Sequence, residues 1–397
     1  MKTDIINQPP KKYKIGLDCR LCGHKHAGLG RYIQNLALYL PFILPTNYKL
    51  VYFFYDKDQW QATIQAISNF QPPNNLKLKD LTEKIKPKYI PIKHYSLAEQ
   101  TQLPKIFQQE KLDLIHVPHF NLPYFTKEKK IILTIHDLLW HEKKGLHMTT
   151  LPPWQYYFKY YAYRLLSNKV IHRANKIIVP SHTIEQTLLN FYPAVKDKIT
   201  VIYNGVNKFK HIDAHHQFNQ LIPENFLLYV GSLYPHKNIN LVLQALQKNP
   251  QLNLVIVSAR DAFWLQTLQQ IKKLAISQQV TFLGPVTDRQ LKSLYQRAAA
   301  LIQPSLSEGF GLTGVEALEC GTKLIASAIP IFQEVYGDAF IPFNPHSVTD
   351  FLLACQKAQT IDLNQYRKIA YKQAEKYNWL KTSQQVCQLY QETINHP

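Results

Sequence analysis

Two carboxylates, Glu308 and Glu316, stand eight residues apart in the stretch SLSEGFGLTGVEALECG (305–321). Between them lie three glycines, in a chain with only 13 among 397 residues. A carboxylate accepts hydrogen bonds from hydroxyls and does not bind phosphate. Glycines let backbone amides approach a ligand with no Cβ in the way, and a helix that opens there adds unpaired N–H groups at its positive end. Amides of that kind suit a phosphate. One ligand carries both features: a nucleotide sugar, with its diphosphate at the amides, sugar hydroxyls on Glu308 and the ribose diol on Glu316. Without such a ligand, Glu308 is an ordinary loop carboxylate and Glu316 a residue of a helix face.

The elements around this stretch decide between the two readings. Near-continuous apolar runs recur as YKIGLD (13–18), KLVYFFYD (49–56), DLIHVP (113–118), IILTIH (131–136), KIIVP (176–180) and ITVIYN (199–204). They resume as NFLLYVG (225–231), LNLVIVS (252–258), VTFLG (280–284), ALIQPS (300–305) and TKLIAS (322–327). Runs of this kind, separated by helical periodicity in RYIQNLALYL, NINLVLQALQ and DRQLKSLYQRAA, predict parallel strands buried on both faces. The fold class is α/β, with two Rossmann-like doubly wound domains facing across a cleft. The length fits two such domains: 1–205, then 206–378, with a C-terminal helix near 379–397 packing back on the first. The polar, His-rich stretch 203–225 reads as their connection. Ligands of such sheets bind beyond the carboxyl ends of the strands. ALIQPS is a strand and LTGVEALECG a helix, so Glu308–Gly311 occupies such an end.

With this placement, PSLSEGFGLTGVEALECGTKLIAS resembles the E-x7-E signature of the family 4 retaining glycosyltransferases, which have the GT-B fold. Other segments match in the family's order: GHKHAGLGRYIQNLALYL, LTIHDLLW, IIVPSHTIEQTLL, VIYNGVN and LYVGSLYPHKNINLVLQAL. The resemblance implies that Glu308 holds the donor sugar and Glu316 the ribose, with Lys237 the cation on the diphosphate. Gly309, Phe310, Gly311, Leu312 and Thr313 would supply the turn and helix start at the donor. Ser232 and His236 stand where the family has an arginine accompanying that lysine, so His236 is a candidate to complete the phosphate clamp. Lys323 stands where proline commonly follows Gly-Thr. His136 would contact the transferred sugar beside Asp137, and Gly28, Leu29 and Gly30 would bring a backbone loop to the reaction centre. Catalytic weight thus falls on Glu308, His136 and Lys237.

No metal or other cofactor is expected, because amides, a helix dipole and a lysine can stabilise a departing diphosphate. The Asp56–Asp58 pair in DKD has the D-x-D spacing of metal-dependent transferases of another fold, but it follows the second strand, far from the donor motifs, and reads as a polar turn. Cys19 and Cys22 form a C-x-x-C without a second pair, and five scattered cysteines do not make a disulfide framework. His116 and His119 read as structural.

The net charge of +19 is uneven: residues 1–200 carry 29 Lys and Arg against 14 Asp and Glu, the remainder 17 against 13. A basic half attracts anionic lipid, nucleic acid or phosphorylated substrates. No nucleic-acid-binding signature accompanies it. Basic residues crowd 77–95, and Trp154, Tyr157, Phe158, Tyr161 and Leu165 recur at helical spacing in 152–173, which suits a membrane interface or docking onto the sheet. With no run of 18 apolar residues and no signal-peptide core, the expected location is cytoplasmic, at the inner face of an anionic membrane. The expected reaction moves a hexose from a nucleoside-diphosphate sugar to a glycan or lipid-linked acceptor. The His-Asp-Leu and His-Lys-Asn variants look most like mannosyltransferases of polysaccharide assembly, which implies a GDP-mannose donor. A GT-B-like sugar-nucleotide epimerase and a two-lobed ligand-binding protein share the architecture. The full motif order disfavours the first, and binding alone gives no reason for paired glutamates.

Overall fold

The computed structural model of the chain describes residues 11–395 apart from 24–26, 70–82, 143–144, 146–148, 150, 207–221 and 260–261. Its apolar runs form two parallel sheets. The first contains β1 (Tyr13–Asp18), β2 (Tyr48–Phe54), β3 (Ile85–Tyr89), β4 (Leu114–Val117), β5 (Ile131–Thr134), β6 (Lys176–Val179) and β7 (Ile199–Val201), in the order β3-β2-β1-β4-β5-β6-β7. The second contains β8 (Leu227–Val230), β9 (Leu254–Val257), β10 (Val280–Leu283), β11 (Ala300–Gln303), β12 (Leu324–Ser327) and β13 (Ile341–Phe343), in the order β10-β9-β8-β11-β12-β13.

Both orders reverse beside their first strand, so each sheet has a switch point where flanking loops part and leave a crevice. In the first sheet it lies between β1 and β4, and the turn after β1 leads to Gly28–Gly30. In the second it lies between β8 and β11. Their following turns carry Ser232–Lys237 and Ser305–Gly311. The turns that carry Lys237 and Glu308 therefore converge because of strand order, although these residues are 71 positions apart in sequence.

Two strands escape a reading based on apolar runs. Edge strand β3 holds Lys86, Pro87 and Lys88, and edge strand β13 is three residues long with Pro342 at its centre. Proline lacks a ladder donor and is tolerated at an edge. In the described part of the basic stretch 77–95, Lys93 is exposed while three other lysines are engaged. Lys84 donates to the carbonyls of Pro41 (3.0 Å) and Leu44, and burial brings its pKa down to about 8. Lys86 and Lys88 flank Glu110 at 2.8 and 2.7 Å. Lys77 and Lys79 lie outside the described residues.

The helix Trp379–Asn395 crosses back onto the first sheet. Its Trp379, Val386, Leu389 and Tyr390 share a core with Ile15, Leu17, Leu36 and Leu40. The Tyr390 hydroxyl is 2.6 Å from Nδ1 of buried His116, whose pKa burial lowers to about 3. Gly205 makes the crossing possible, since a Cβ there would lie 2.2 Å from the Trp379 amide nitrogen. All five cysteines are free, and Cys19 and Cys22 are buried. Asp56 caps the helix Lys57–Asn69 by accepting from the Gln59 amide at 2.9 Å. Among the described residues no cluster of side chains could hold a metal ion, and no helix is long and apolar enough to cross a membrane.

Candidate active site in the interdomain cleft

The turn after β11 is built to bring backbone to the cleft. Gly311 caps the helix Leu312–Glu319 in the left-handed region (φ 84°), where a Cβ would meet the Tyr336 hydroxyl at 2.1 Å. That hydroxyl donates to the Gly311 carbonyl at 2.7 Å and fixes the turn. No side chain caps the helix; the Gly314 amide donates to the Gly311 carbonyl at 3.0 Å, which leaves the amides of Leu312 and Thr313 at its start. Phe310 is buried, packing edge-on against Tyr377, and the Thr313 hydroxyl accepts from Gln303 at 2.5 Å.

Glu308 stands at the head of this turn. It accepts from the Ser305 hydroxyl at 3.0 Å and forms an ion pair with Lys237, which arrives on the turn after β8. The two turns are tied by the Leu306 amide donating to the His236 carbonyl at 2.7 Å. Ser232 lies half-buried just beyond the end of β8. Burial, with Lys237 beside it, lowers the His236 pKa to about 4, and its buried Nδ1 has no hydrogen-bond partner, so a neutral imidazole stands beside Lys237.

The other lobe closes over this pair. Gly309 approaches the His136 backbone so closely that a Cβ would lie 1.9 Å from its carbonyl oxygen. His136 is neutral, its pKa lowered to about 3 by burial, and its Nε2 donates to the Pro118 carbonyl at 3.2 Å. Asp137 accepts from the Leu139 amide at 3.1 Å. Its surface is accessible, but both lobes thin the water around it, and that desolvation holds its carboxyl above the ordinary range. Across the same seam, Ser307 donates to Glu142 at 3.0 Å. Glu334 accepts from the His182 and Thr183 amides at 2.7 and 2.8 Å. A Cβ on Gly28 would lie 3.5 Å from the Leu312 side chain, Leu29 packs on the first core, and Gly30 is buried where a Cβ would strike the Gly23 carbonyl at 2.0 Å.

Glu316 lies 2% exposed on the helix and receives a group that sequence reasoning missed. Arg31, the residue after Gly30, crosses from the first lobe to pair with it and with Asp288 at 3.2 Å. The Tyr295 hydroxyl donates to the second Glu316 oxygen at 3.1 Å. Burial raises the Glu316 pKa, and Arg31 opposes that rise. A second missed group is Arg20, fully buried between Asp18 (2.7 Å) and Glu99 (2.8 Å), which anchors the turn leading to Gly28. The only sequence signal for either was an arginine next to a glycine loop.

Truncating Arg31 strands Glu316 in the interior. Arg31→Ala is expected to cost roughly 3 kcal/mol, the loss typical when a buried ion pair loses one partner. A carboxyl whose folded pKa is raised stabilises the fold in its protonated form, a contribution lost as pH rises through that pKa. The deficit should therefore be largest at neutral pH and shrink towards the ordinary carboxyl range. Thermal melts across pH test this; failure of Glu316→Gln to relieve the Arg31→Ala defect would contradict it.

Two doubly wound lobes, with the Lys237 and Glu308 turns of one facing a His-Asp strand end of the other across a cleft, have the architecture of the GT-B class of sugar transferases. Residues 67–208 match the family described as Glycosyltransferase Family 4, and residues 212–376 match Glycosyl transferases group 1. The chain belongs to the family 4 glycosyltransferases. It is similar to the O-antigen chain mannosyltransferase RfbU of Salmonella typhimurium, 31% identical over 225 residues, covering 56% of this chain and 62% of the relative. It is likewise 31% identical over 229 residues to the serotype-specific mannosyltransferase WbdA of Escherichia coli, covering 53% of this chain and 28% of that one. The match thus spans less than two thirds of either relative. Among solved structures, the sucrose-phosphate synthase of Thermosynechococcus elongatus superposes with a TM-score of 0.73 at 19% identity, over 96% of this chain and 99% of that one. At that identity the likeness concerns the fold.

Proposed function

We propose that the chain is a retaining, metal-independent mannosyltransferase, moving mannose from GDP-mannose to a glycan or lipid-linked acceptor in the cytoplasm at the inner face of the membrane. The observation that carries this reading is the Lys237–Glu308 pair at the head of an uncapped helix, opposite His136 and Asp137 of the other lobe. A diphosphate lying there meets Lys237 and the amides of Leu312 and Thr313, which stabilise the charge that develops as its bond to the sugar breaks. Released from Lys237 by that phosphate, Glu308 accepts hydrogen bonds from sugar hydroxyls. The acceptor oxygen bonds to the anomeric carbon as the diphosphate leaves, and the acceptor proton passes to the diphosphate. Neutral His136 and Asp137 contact the sugar from the acceptor side. Glu316 takes the ribose diol once Arg31 yields to it. The mannosyl preference is supported by the two relatives, both described as mannosyltransferases. No observation favours an epimerase or a non-catalytic binding protein.

The test is a panel of GDP- and UDP-sugars read by nucleoside-diphosphate release and thermal shift. GDP-mannose is expected to give the largest response, with the anomeric configuration of the product matching the donor and EDTA without effect. A preferred UDP-sugar overturns the donor assignment, an inverted product overturns retention, and loss in EDTA with rescue by manganese overturns metal independence.

A further inference from the structure

The helix Pro153–Arg173 is apolar on two opposite faces. Tyr156, Tyr160, Val170 and Ile171 are buried against the first lobe. The residues singled out for their helical spacing form the other face. Trp154, Phe158, Tyr161 and Leu165 follow one another at steps of four, three and four, so they line one ridge. They are 71, 73, 59 and 63% exposed, and Tyr157 flanks them. Docking onto the sheet therefore uses a different set of side chains from the one whose spacing suggested it. Isolated exposed apolar residues are ordinary; a contiguous ridge of large ones marks an interaction surface.

The ridge ends in positive charge. Lys169 Nζ donates to the Tyr124 hydroxyl at 2.8 Å and Arg173 donates to the Tyr124 carbonyl at 2.9 Å, next to exposed Phe125. Lys159 is exposed midway along the helix. We propose that this face seats on an anionic membrane, with Trp154, Phe158, Tyr161 and Leu165 entering the boundary between headgroups and acyl chains and Lys159, Lys169 and Arg173 meeting anionic headgroups. Charge selects lipid over a second copy of the chain. Residues 1–200 hold 29 Lys and Arg against 14 Asp and Glu, so another copy would bring the same positive field to the ridge, whereas an anionic surface complements it. The seat also lies close behind the cleft. Tyr156 and Tyr163 pack on Trp140, whose turn begins at Asp137 and ends at Glu142, the partner of Ser307. Resting on the proposed transfer reaction, this surface would hold a lipid-linked acceptor beside the lobe that receives it.

The mode of binding differs from what the lysines of 77–95 alone imply, because an inserted ridge resists salt. Co-sedimentation of the full chain with phosphatidylcholine vesicles, and with vesicles containing phosphatidylglycerol, separates the cases at about 0.1 M and about 1 M salt, where screening lengths are roughly 10 and 3 Å. Expected is preferential binding to the anionic vesicles, partly retained at high salt. Expected too is a fall of roughly tenfold or more in partitioning for Trp154→Ser/Phe158→Ser/Leu165→Ser, with thermal melting unchanged. Lys169→Gln/Arg173→Gln should lose the preference for anionic lipid and keep the salt-resistant part. Equal binding by the ridge variant, indifference of the wild type to both vesicles, or ridge-dependent self-association without vesicles would each overturn the proposal. Vesicle binding is read without turnover, so an inactive chain still tests the surface; transfer to a soluble acceptor without vesicle binding removes the surface alone.

Discussion

Glu308→Gln is expected to lower turnover about 100-fold or more while leaving the chain folded. Replacing the carboxylate removes the charge that draws Lys237 and substitutes an amide group that cannot accept a hydroxyl's hydrogen bond on its nitrogen side. Interactions aimed at a reacting sugar act most strongly when charge develops, and losing one such group costs on the order of 100-fold or more. Some stability should be lost as well, because the Lys237 and Glu308 side chains are only 20 and 14% exposed and the substitution leaves the lysine charge without its partner, but the pair sits at the cleft and not in a lobe's core. Initial rates at saturating donor and a thermal melt separate the two effects. The assignment rests on kcat falling: a change confined to KM would make Glu308 a ground-state contact, and wild-type turnover would remove it from the site.

Gly309→Ala tests the cleft itself. The added methyl would lie 1.9 Å from the His136 carbonyl oxygen and 3.0 Å from its carbon, both backbone atoms of the other lobe. Neither can rotate aside, so the lobes must part. A displacement of about 1 Å between reacting groups costs on the order of 100-fold in rate, and a loss of that size is expected. Each lobe should fold normally, since Gly309 has no left-handed φ and no neighbour in its own lobe closer than the clash. Solution scattering should show a more open particle, and binding of a nucleoside diphosphate to the C-terminal lobe should persist. A variant as compact and active as the wild type would mean that the approach of Gly309 to His136 is dispensable.

Sequence reasoning located the parallel strands through their unbroken apolar runs, and β1, β8 and β11 then put Gly28, Lys237 and Glu308 at strand ends. It missed β3 and β13 because edge strands need only one bonded neighbour and admit Pro87 and Pro342, which erase the apolar signal. It also had no access to contacts made by closure. Arg31 and Glu316 are 285 positions apart, and nothing local to either announces the other. His236 illustrates a different limit. Its position beside Lys237 was legible, but its burial, which lowers its pKa to about 4, is set by residues from elsewhere in the lobe. The helix 153–173 yielded its periodicity without its orientation, because aromatic residues occupy both faces and spacing alone does not say which one meets the sheet.

The return of the helix Trp379–Asn395 to the first sheet sets an order of events during synthesis. Domains commonly fold as they leave the ribosome, N-terminal first. Here the nascent N-terminal lobe lacks Trp379, Val386, Leu389 and Tyr390 until the whole second lobe has been translated, and until then the side chains they cover, Leu36 and Leu40 among them, stay open to water. The second lobe, whose sheet runs from β8 to β13 and whose core draws on residues from Val206 to Tyr377, can settle while the first waits for its last helix. The first lobe to be made is thus the last to be finished, and the step that finishes it also fastens the two lobes together.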